Sequence, residues 1–343
     1  MIVTLTANPS LDRTIALDAP LQPGEVQAAQ SAREDAGGKG INVSRAVAAA
    51  GHATLAVLPL SEADPYRVPL QATRLETRPV SVRGTARANL TITDPAGETT
   101  KLNLPGSTLA PTEAEALIAA VVDATVGARW LVLAGSVPPG AGDDFYVRVI
   151  DAVRRAHGDA APRIAVDTSG DALRAVVEHG HPDLIKPNDE ELAELAGVDL
   201  AGVDLAGAGT AGTETASTDA AGTDAASADT TALHSAVLGV ARRLVPSRVA
   251  AALVTLGSRG ALLVTADSAW AAPAPRIRVA STVGAGDSSL AGYLLAESAD
   301  APPADRLTHA IRYGAAAASL PGTQLPAPHD LPTDDLPVVT LTE

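Results

Sequence analysis

Short apolar runs recur along the chain, each closed by glycine or a polar residue, and stretches with helical periodicity lie between them. IVTLTA at the start, TLAVLPL from Thr54, WLVLAGS (Trp130 to Ser136), RIAVDTS (Arg163 to Ser169), LIKPN (Leu184 to Asn188) and AALVTLG (Ala251 to Gly257) read as buried strands. Helices are predicted over Gly40 to Gly51, Pro111 to Thr125, Asp143 to His157, Asp171 to Glu178 and Leu233 to Val245. Strands apolar on both faces that alternate with helices build a mostly parallel sheet covered on both sides. The fold expected is therefore α/β, three-layered and Rossmann-like. Ligands of such folds gather at the carboxyl ends of the strands, where the polar motifs of this sequence fall.

Two segments break the pattern. About 14–33 and 83–104 are half-polar and β-rich, with ARANLTIT and ETTKLNL flanking the turn Asp94, Pro95, Ala96, Gly97, which suits a small sheet projecting from the main domain as a lid. Gly197 to Ala232 is built of Ala, Gly, Thr, Ser and Asp, repeats VDLAG, and holds six acidic residues but no Lys or Arg. That composition buries little apolar surface and predicts a flexible surface insertion in an otherwise single domain spanning 1–343.

The insertion changes how the charge is read. It supplies six of the fifteen net negative charges, so the formal −15 describes the folded body only in part. The balance still argues against nucleic acid or an anionic membrane as partner, because those are held by clustered Lys and Arg. An N-terminus without a basic start or long apolar run, and the lack of any uncharged membrane-length window, predict a cytoplasmic protein. With no cysteine, disulfides, thiolate metal sites and a cysteine nucleophile are excluded. Lysine occurs only at Lys39, Lys101 and Lys186, so positive charge is carried almost wholly by arginine. A compact ammonium reaches a phosphate in a tight pocket where a planar guanidinium does not, which marks these three positions as candidate phosphate contacts.

Four motifs carry candidate chemistry. In STVGAGDSS, Gly284, Ala285 and Gly286 allow backbone amides to turn inward together at a helix N-terminus, where an anion is favoured, and Asp287 is placed to take a proton from an attacking hydroxyl. Asp287 would equally suit a helix cap after a glycine turn. In AGGKGINVSR, the glycines permit close approach to a ligand, Lys39 supplies charge, and Asn42 both donates and accepts. In KPNDEE, Asn188 and Glu191 have the spacing of a capping box, a role that can coexist with a metal-phosphate one. TLGSRGA, from Thr255, reads as strand, tight turn, strand.

Taken jointly and in order, GGKGINVSR, GSVPPG (Gly135 to Gly140), DTSG (Asp167 to Gly170), IKPNDEE, VTLGSRGA and TVGAGDS resemble the ribokinase-like PfkB carbohydrate kinases over essentially the whole chain. TANPSLDRT, TARANLTI and TKLNLPG look more like the phosphosugar branch, 1-phosphofructokinases and tagatose-6-phosphate kinases. The resemblance implies ATP-dependent phosphorylation of a hexose phosphate, fructose 1-phosphate first, with Asp287 as general base and 284–286 as anion hole. It assigns Asp12, Gly38 and Asn42 to sugar hydroxyls, and Lys39, Arg87 and Ser136 to the phosphate already on the sugar. Lys186, Asn188 and Glu191 would face the nucleotide phosphates and a hydrated Mg²⁺, which Glu191 contacts through water. Thr255, Gly257 and Gly260 would border the nucleotide, and a homodimer would share the lid. The alternatives are a tagatose-6-phosphate kinase, a kinase of an unphosphorylated sugar or nucleoside, and a non-catalytic sugar-phosphate sensor. Three departures stand out: SEADPYRVPLQ lacks the glycines the family carries after TLAVLPL, Leu104 replaces an acid, and the acidic insertion lies between one helix and the next, where it is expected to spare the site.

Overall fold

The computed structural model describes residues 1–197 and 221–341. In chain order, the first half runs β1 (Ile2–Thr6), β2 (Ser10–Leu17), β3 (Ala29–Gly37), α1 (Lys39–Ala49), β4 (Thr54–Pro59), α2 (Arg67–Ala72), β5 (Thr77–Val80), β6 (Arg87–Thr93) and β7 (Thr99–Asn103). It continues through α3 (Pro111–Ala124), β8 (Trp130–Ala134), α4 (Phe145–His157), β9 (Arg163–Asp167), α5 (Gly170–Ala175), β10 (Leu184–Ile185) and α6 (Asp189–Ala196). The rest is α7 (Ala221–Ala241), β11 (Ala251–Thr255), β12 (Ala261–Thr265), β13 (Ala269–Ala272), α8 (Ala285–Ser298), α9 (Pro303–Ser319) and β14 (Val339–Leu341).

Ten strands form one sheet in the order β14-β13-β12-β11-β10-β9-β8-β1-β4-β5. From β5 to β11 every pairing is parallel, and β12, β13 and β14 add antiparallel at the far edge. The central strands are buried, β1 and β8 along their whole length, because helices cover both faces. One face packs Leu117 and Val121 of α3, Phe145 and Ile150 of α4, Leu192 of α6 and Val237 of α7 against the sheet. The other takes Val43 and Val47 of α1, Leu290 and Leu294 of α8, and Leu307 and Ile311 of α9. The three-layer expectation holds.

A separate four-stranded sheet, β3-β2-β6-β7, supplies the small β layer. Its strands reach further than the sequence pattern indicated: β2 already begins at Ser10 and β3 runs to Gly37, directly into the glycine-lysine turn. TANPSLDR conceals this, because its proline and its buried polar residues, Ser10 among them, do not look like a strand. Helix α7 is a second difference. It starts at Ala221, inside the segment read as a flexible insertion, since an alanine-rich run has high helix propensity whatever its polarity. Residues 198–220 of that segment lie outside the described residues. Among the described residues, no helix is long and apolar enough to cross a membrane.

Candidate active site

The parallel strands β1, β8, β9, β10 and β11 all end on one edge of the large sheet, and charged residues of the motifs meet there. Asp167, the last residue of β9, is fully buried between two lysines: Lys39 Nζ donates to Oδ1 at 2.7 Å and Lys186 Nζ stands 3.3 Å from Oδ2. Burial alone would raise the Asp167 carboxyl, but Lys186 and Lys39 outweigh it and hold it below the ordinary carboxylate range. Burial likewise opposes the charge on Lys39, and Asp167 and Asp287 overcome it and keep the ammonium protonated well beyond its usual range. The third lysine, Lys101, is exposed on β7 and stands apart from this cluster. The sequence put Asp167 in a motif without giving it a role. Its contact partners are far off in sequence, so only the fold could do that.

Asp287 lies in the first turn of α8, whose N-cap is Gly284 at φ 76°. It does not cap that helix. Its Oδ2 accepts from Asn42 Nδ2 of α1 at 2.8 Å, across 245 residues of sequence. Burial, reinforced by the charge of Asp167, pushes Asp287 up to about 6, against Lys39, the Asn42 hydrogen bond and Lys186, which all favour the ionised form. A carboxyl titrating near neutrality suits proton transfer. Next to it, a Cβ on Gly286 would sit 3.2 Å from Lys186 Nζ, so Gly284, Ala285 and Gly286 present a helix N-terminus beside an ammonium.

The small sheet closes the other side. Asp12 of β2 accepts from Ser10 Oγ at 2.8 Å and from Asn89 Nδ2 of β6 at 3.0 Å, and burial raises its carboxyl despite those bonds and the nearby Arg87. A Cβ at position 37 would displace the Asp12 carboxylate, so glycine there keeps that carboxylate in place, and Gly38 follows at φ 118°. Arg87 opens β6 opposite Ser10, and its Nε is buried without a partner. Ser136, just past β8, accepts from Asn8 Nδ2 at 3.1 Å.

The remaining candidates gather around β10 and β11. Asn188 and Glu191 form the capping box at the start of α6: Asn188 Oδ1 accepts from Glu191 N at 2.7 Å, and Glu191 Oε2 from Asn188 N at 3.0 Å. Thr255 bridges to Asn188, and Gly257 and Gly260 form the turn of the β11–β12 hairpin, as the sequence suggested. Gly257 faces open space, whereas Gly260 (φ 101°) is packed against the Ala272 carbonyl, so its glycine already has a structural reason. Among the described residues, no group of three or more His, Cys, Asp or Glu side chains could hold a metal ion. A cation held through water by Glu191 and by nucleotide phosphates fits this arrangement; an all-protein cage does not.

The altered segment after β4 has found other work. Asp64 is buried and accepts from the backbone N–H groups of Tyr66 and Ala86, at 3.0 and 2.7 Å. Tyr66, fully buried, donates to the Gly37 carbonyl at 2.8 Å and so props the glycine-lysine turn from below. Leu104 is exposed, and its N–H pairs with the Ala88 carbonyl.

Residues 5–330 match the family described as pfkB family carbohydrate kinase. The 1-phosphofructokinase of Xanthomonas campestris pv. campestris is 31% identical over 297 residues, covering 84% of this chain and 82% of its own. The ATP-dependent 6-phosphofructokinase isozyme 2 of Escherichia coli strain K12 is 30% identical over 297 residues, with 86% and 84% covered. A crystal structure of phosphofructokinase-2 from Escherichia coli in complex with potassium superimposes with a TM-score of 0.80 at 28% identity, 96% of each chain being covered.

Proposed function

The chain belongs to the pfkB family of carbohydrate kinases, and on that premise we propose that it transfers the γ-phosphoryl group of ATP to a hexose phosphate, fructose 1-phosphate above others. The observation that carries the reading is Asp287, a buried carboxyl pushed up to about 6, set beside a helix N-terminus and the Lys39–Asp167–Lys186 triad. Asp287 takes the proton of the attacking hydroxyl, while the amides of 284–286 and Lys186 meet the charge of the transferring group. Asn42 orients Asp287 and favours its ionised form. An intact base in this setting also tells against a non-catalytic sensor.

On the sugar side, Asp12, Gly38 and Asn42 hold hydroxyls, and Arg87, Ser136 and Lys39 hold the phosphate the sugar brings. An arginine Nε buried without a partner supports an anionic ligand there, since an unpaired buried donor costs about 1 to 3 kcal/mol. Lys186, Asn188, Glu191, Thr255, Gly257 and Gly260 border ATP. Glu191 would hold Mg²⁺ through water, and the ion would offset phosphate charge. The small sheet acts as a lid that excludes water, the competing phosphoryl acceptor. Leu21, Val26, Leu102 and Leu104, all exposed in or beside that sheet, support its burial in a homodimer.

An ADP-release assay across fructose 1-phosphate, fructose 6-phosphate, tagatose 6-phosphate, fructose and ribose tests the reading. Fructose 1-phosphate is expected to give the highest kcat/KM. Similarity to the 6-phosphofructokinase isozyme makes fructose 6-phosphate the second candidate. Lys39→Met should raise KM for the sugar phosphate by roughly one to two orders of magnitude and leave KM for ATP largely alone. Because Lys39 also pairs with buried Asp167 and favours the ionised form of Asp287, the variant should move the acid limb of kcat to higher pH as well. Equal weakening of both would move Lys39 to the transferring group. Preference for fructose or ribose would overturn the phosphosugar assignment.

A further inference from the structure

Asn8 stands two residues beyond β1, at the carboxyl end of a central strand, and is buried. Its Nδ2 has two donor contacts, 3.2 Å to the Pro105 carbonyl and 3.1 Å to Ser136 Oγ. A carbonyl oxygen only accepts, so the amide is fixed with its NH₂ group toward Pro105 and therefore toward Ser136 as well. Both N–H bonds are then used. Ser136 Oγ acts as acceptor in this pair, and its own proton has to be donated elsewhere.

Two further features bear on where. Arg87 Nε, buried and unpaired, is another donor without an acceptor, on a residue whose backbone N–H bonds the Pro9 carbonyl next to Asn8. Pro105 and Gly106 lie where the chain returns from β7 to the main body, and Gly106, at φ 92°, would bring a Cβ to 2.5 Å from Asn8 Oδ1. The return segment is thus seated against both ends of the same amide.

We propose that Asn8 is a positioning residue for the sugar-borne phosphate: it makes the Ser136 hydroxyl an obligate donor toward that phosphate and ties this donor to the seating of the lid's return segment. The inference rests on the assignment of Arg87 and Ser136 to the phosphate, given above. Asn8 itself need not touch the substrate. Its effect should pass through Ser136, which separates it from a residue that only packs.

The test is a double-mutant cycle of Asn8→Ala and Ser136→Ala, with Asn8→Asp as the near-isosteric second variant, read as KM and kcat for fructose 1-phosphate and KM for ATP. Melting temperatures establish that each variant is folded. Ser136→Ala loses one donor to a phosphate and should raise KM for the sugar phosphate roughly tenfold or more. Asn8→Ala keeps the hydroxyl but frees its proton to turn away, and should raise that KM by a smaller factor, with KM for ATP unchanged within about twofold in both. Because the two residues act as one unit, the double variant should be no worse than Ser136→Ala alone. Asn8→Asp should be at least as damaging as Ser136→Ala, since a carboxylate has no N–H and takes the serine proton for itself. A silent Ser136→Ala would overturn the phosphate-site assignment itself. A damaging Ser136→Ala with a silent Asn8→Ala and Asn8→Asp, or with fully multiplicative losses in the double variant, would overturn the role of Asn8 and leave that assignment standing.

Discussion

Replacing Asp287 by asparagine exposes a conflict between chemistry and stability at this position. The side chain keeps its shape, and its oxygen can still accept from Asn42 Nδ2, a bond 2.8 Å long in the parent. If Asp287 is the proton acceptor proposed above, that acceptor is lost, so kcat should drop by roughly 10²-fold or more, while ATP and sugar-phosphate binding stay within a few fold. What is gained follows from the carboxyl lying at about 6 rather than at the unperturbed 3.8. Two pH units correspond to ~3 kcal/mol by which the folded protein disfavours the ionised form. The sign is fixed by the direction: with the folded value raised, that cost is absent below pH 3.8, grows between 3.8 and about 6, and is present in full above it. A neutral amide carries no such cost, so Asp287→Asn should be more stable than the parent at pH 8, with the difference shrinking as the pH falls toward 4. At an unfolding entropy of roughly 2.1 cal/mol/K per residue, ~3 kcal/mol is a rise in Tm of about 4 °C. Differential scanning calorimetry at pH 8, 6.5 and 5, alongside steady-state kinetics at pH 8, measures both halves. Near-normal turnover would return Asp287 to a purely structural role, and a Tm difference independent of pH would refute the raised carboxyl itself.

Other outcomes follow from the same geometry. In the parent enzyme, kcat/KM should fall as the pH drops through about 6, because protonated Asp287 cannot accept the hydroxyl proton; Asp167→Asn should shift that acid limb to lower pH, since the Asp167 charge raises Asp287 while Lys39 and Lys186 lower it. A limb that stays in place in Asp167→Asn would show that the two carboxylates do not interact. Gly260→Ala should destabilise far more than Gly257→Ala in a denaturant titration, about 2 kcal/mol or above against about 1, because a Cβ at 260 overlaps the Ala272 carbonyl and at 257 meets nothing within 4 Å. Tyr66→Phe leaves the Gly37 carbonyl without its donor and should cost about 1 kcal/mol of stability while raising KM for the sugar phosphate more than KM for ATP.

The amino-acid sequence by itself determined the layered fold, because short apolar runs such as those of β1 and β8, ended by glycine or polar residues and alternating with helical stretches, fit strands covered on both faces. It also pointed to the loops that the fold brings together, through residue types rare in the chain or set after a run of small residues: of its three lysines Lys39 and Lys186 meet at Asp167 near Asp287, while Lys101, marked by the same reasoning, lies exposed on β7. The capping box of Asn188 and Glu191 was legible for the same reason, being a contact between neighbours in sequence. The tertiary structure decided everything that depends on contacts across long separations. Asp167 meets Lys39 across 128 residues and Asn42 meets Asp287 across 245, and no local pattern encodes either distance. The near-neutral Asp287 is a product of burial and of those charges together, so it does not exist until the chain has folded. The same holds for Asn8 and Tyr66, whose side chains look ordinary in the sequence and acquire their roles only when Ser136 and Gly37 are brought within hydrogen-bonding reach.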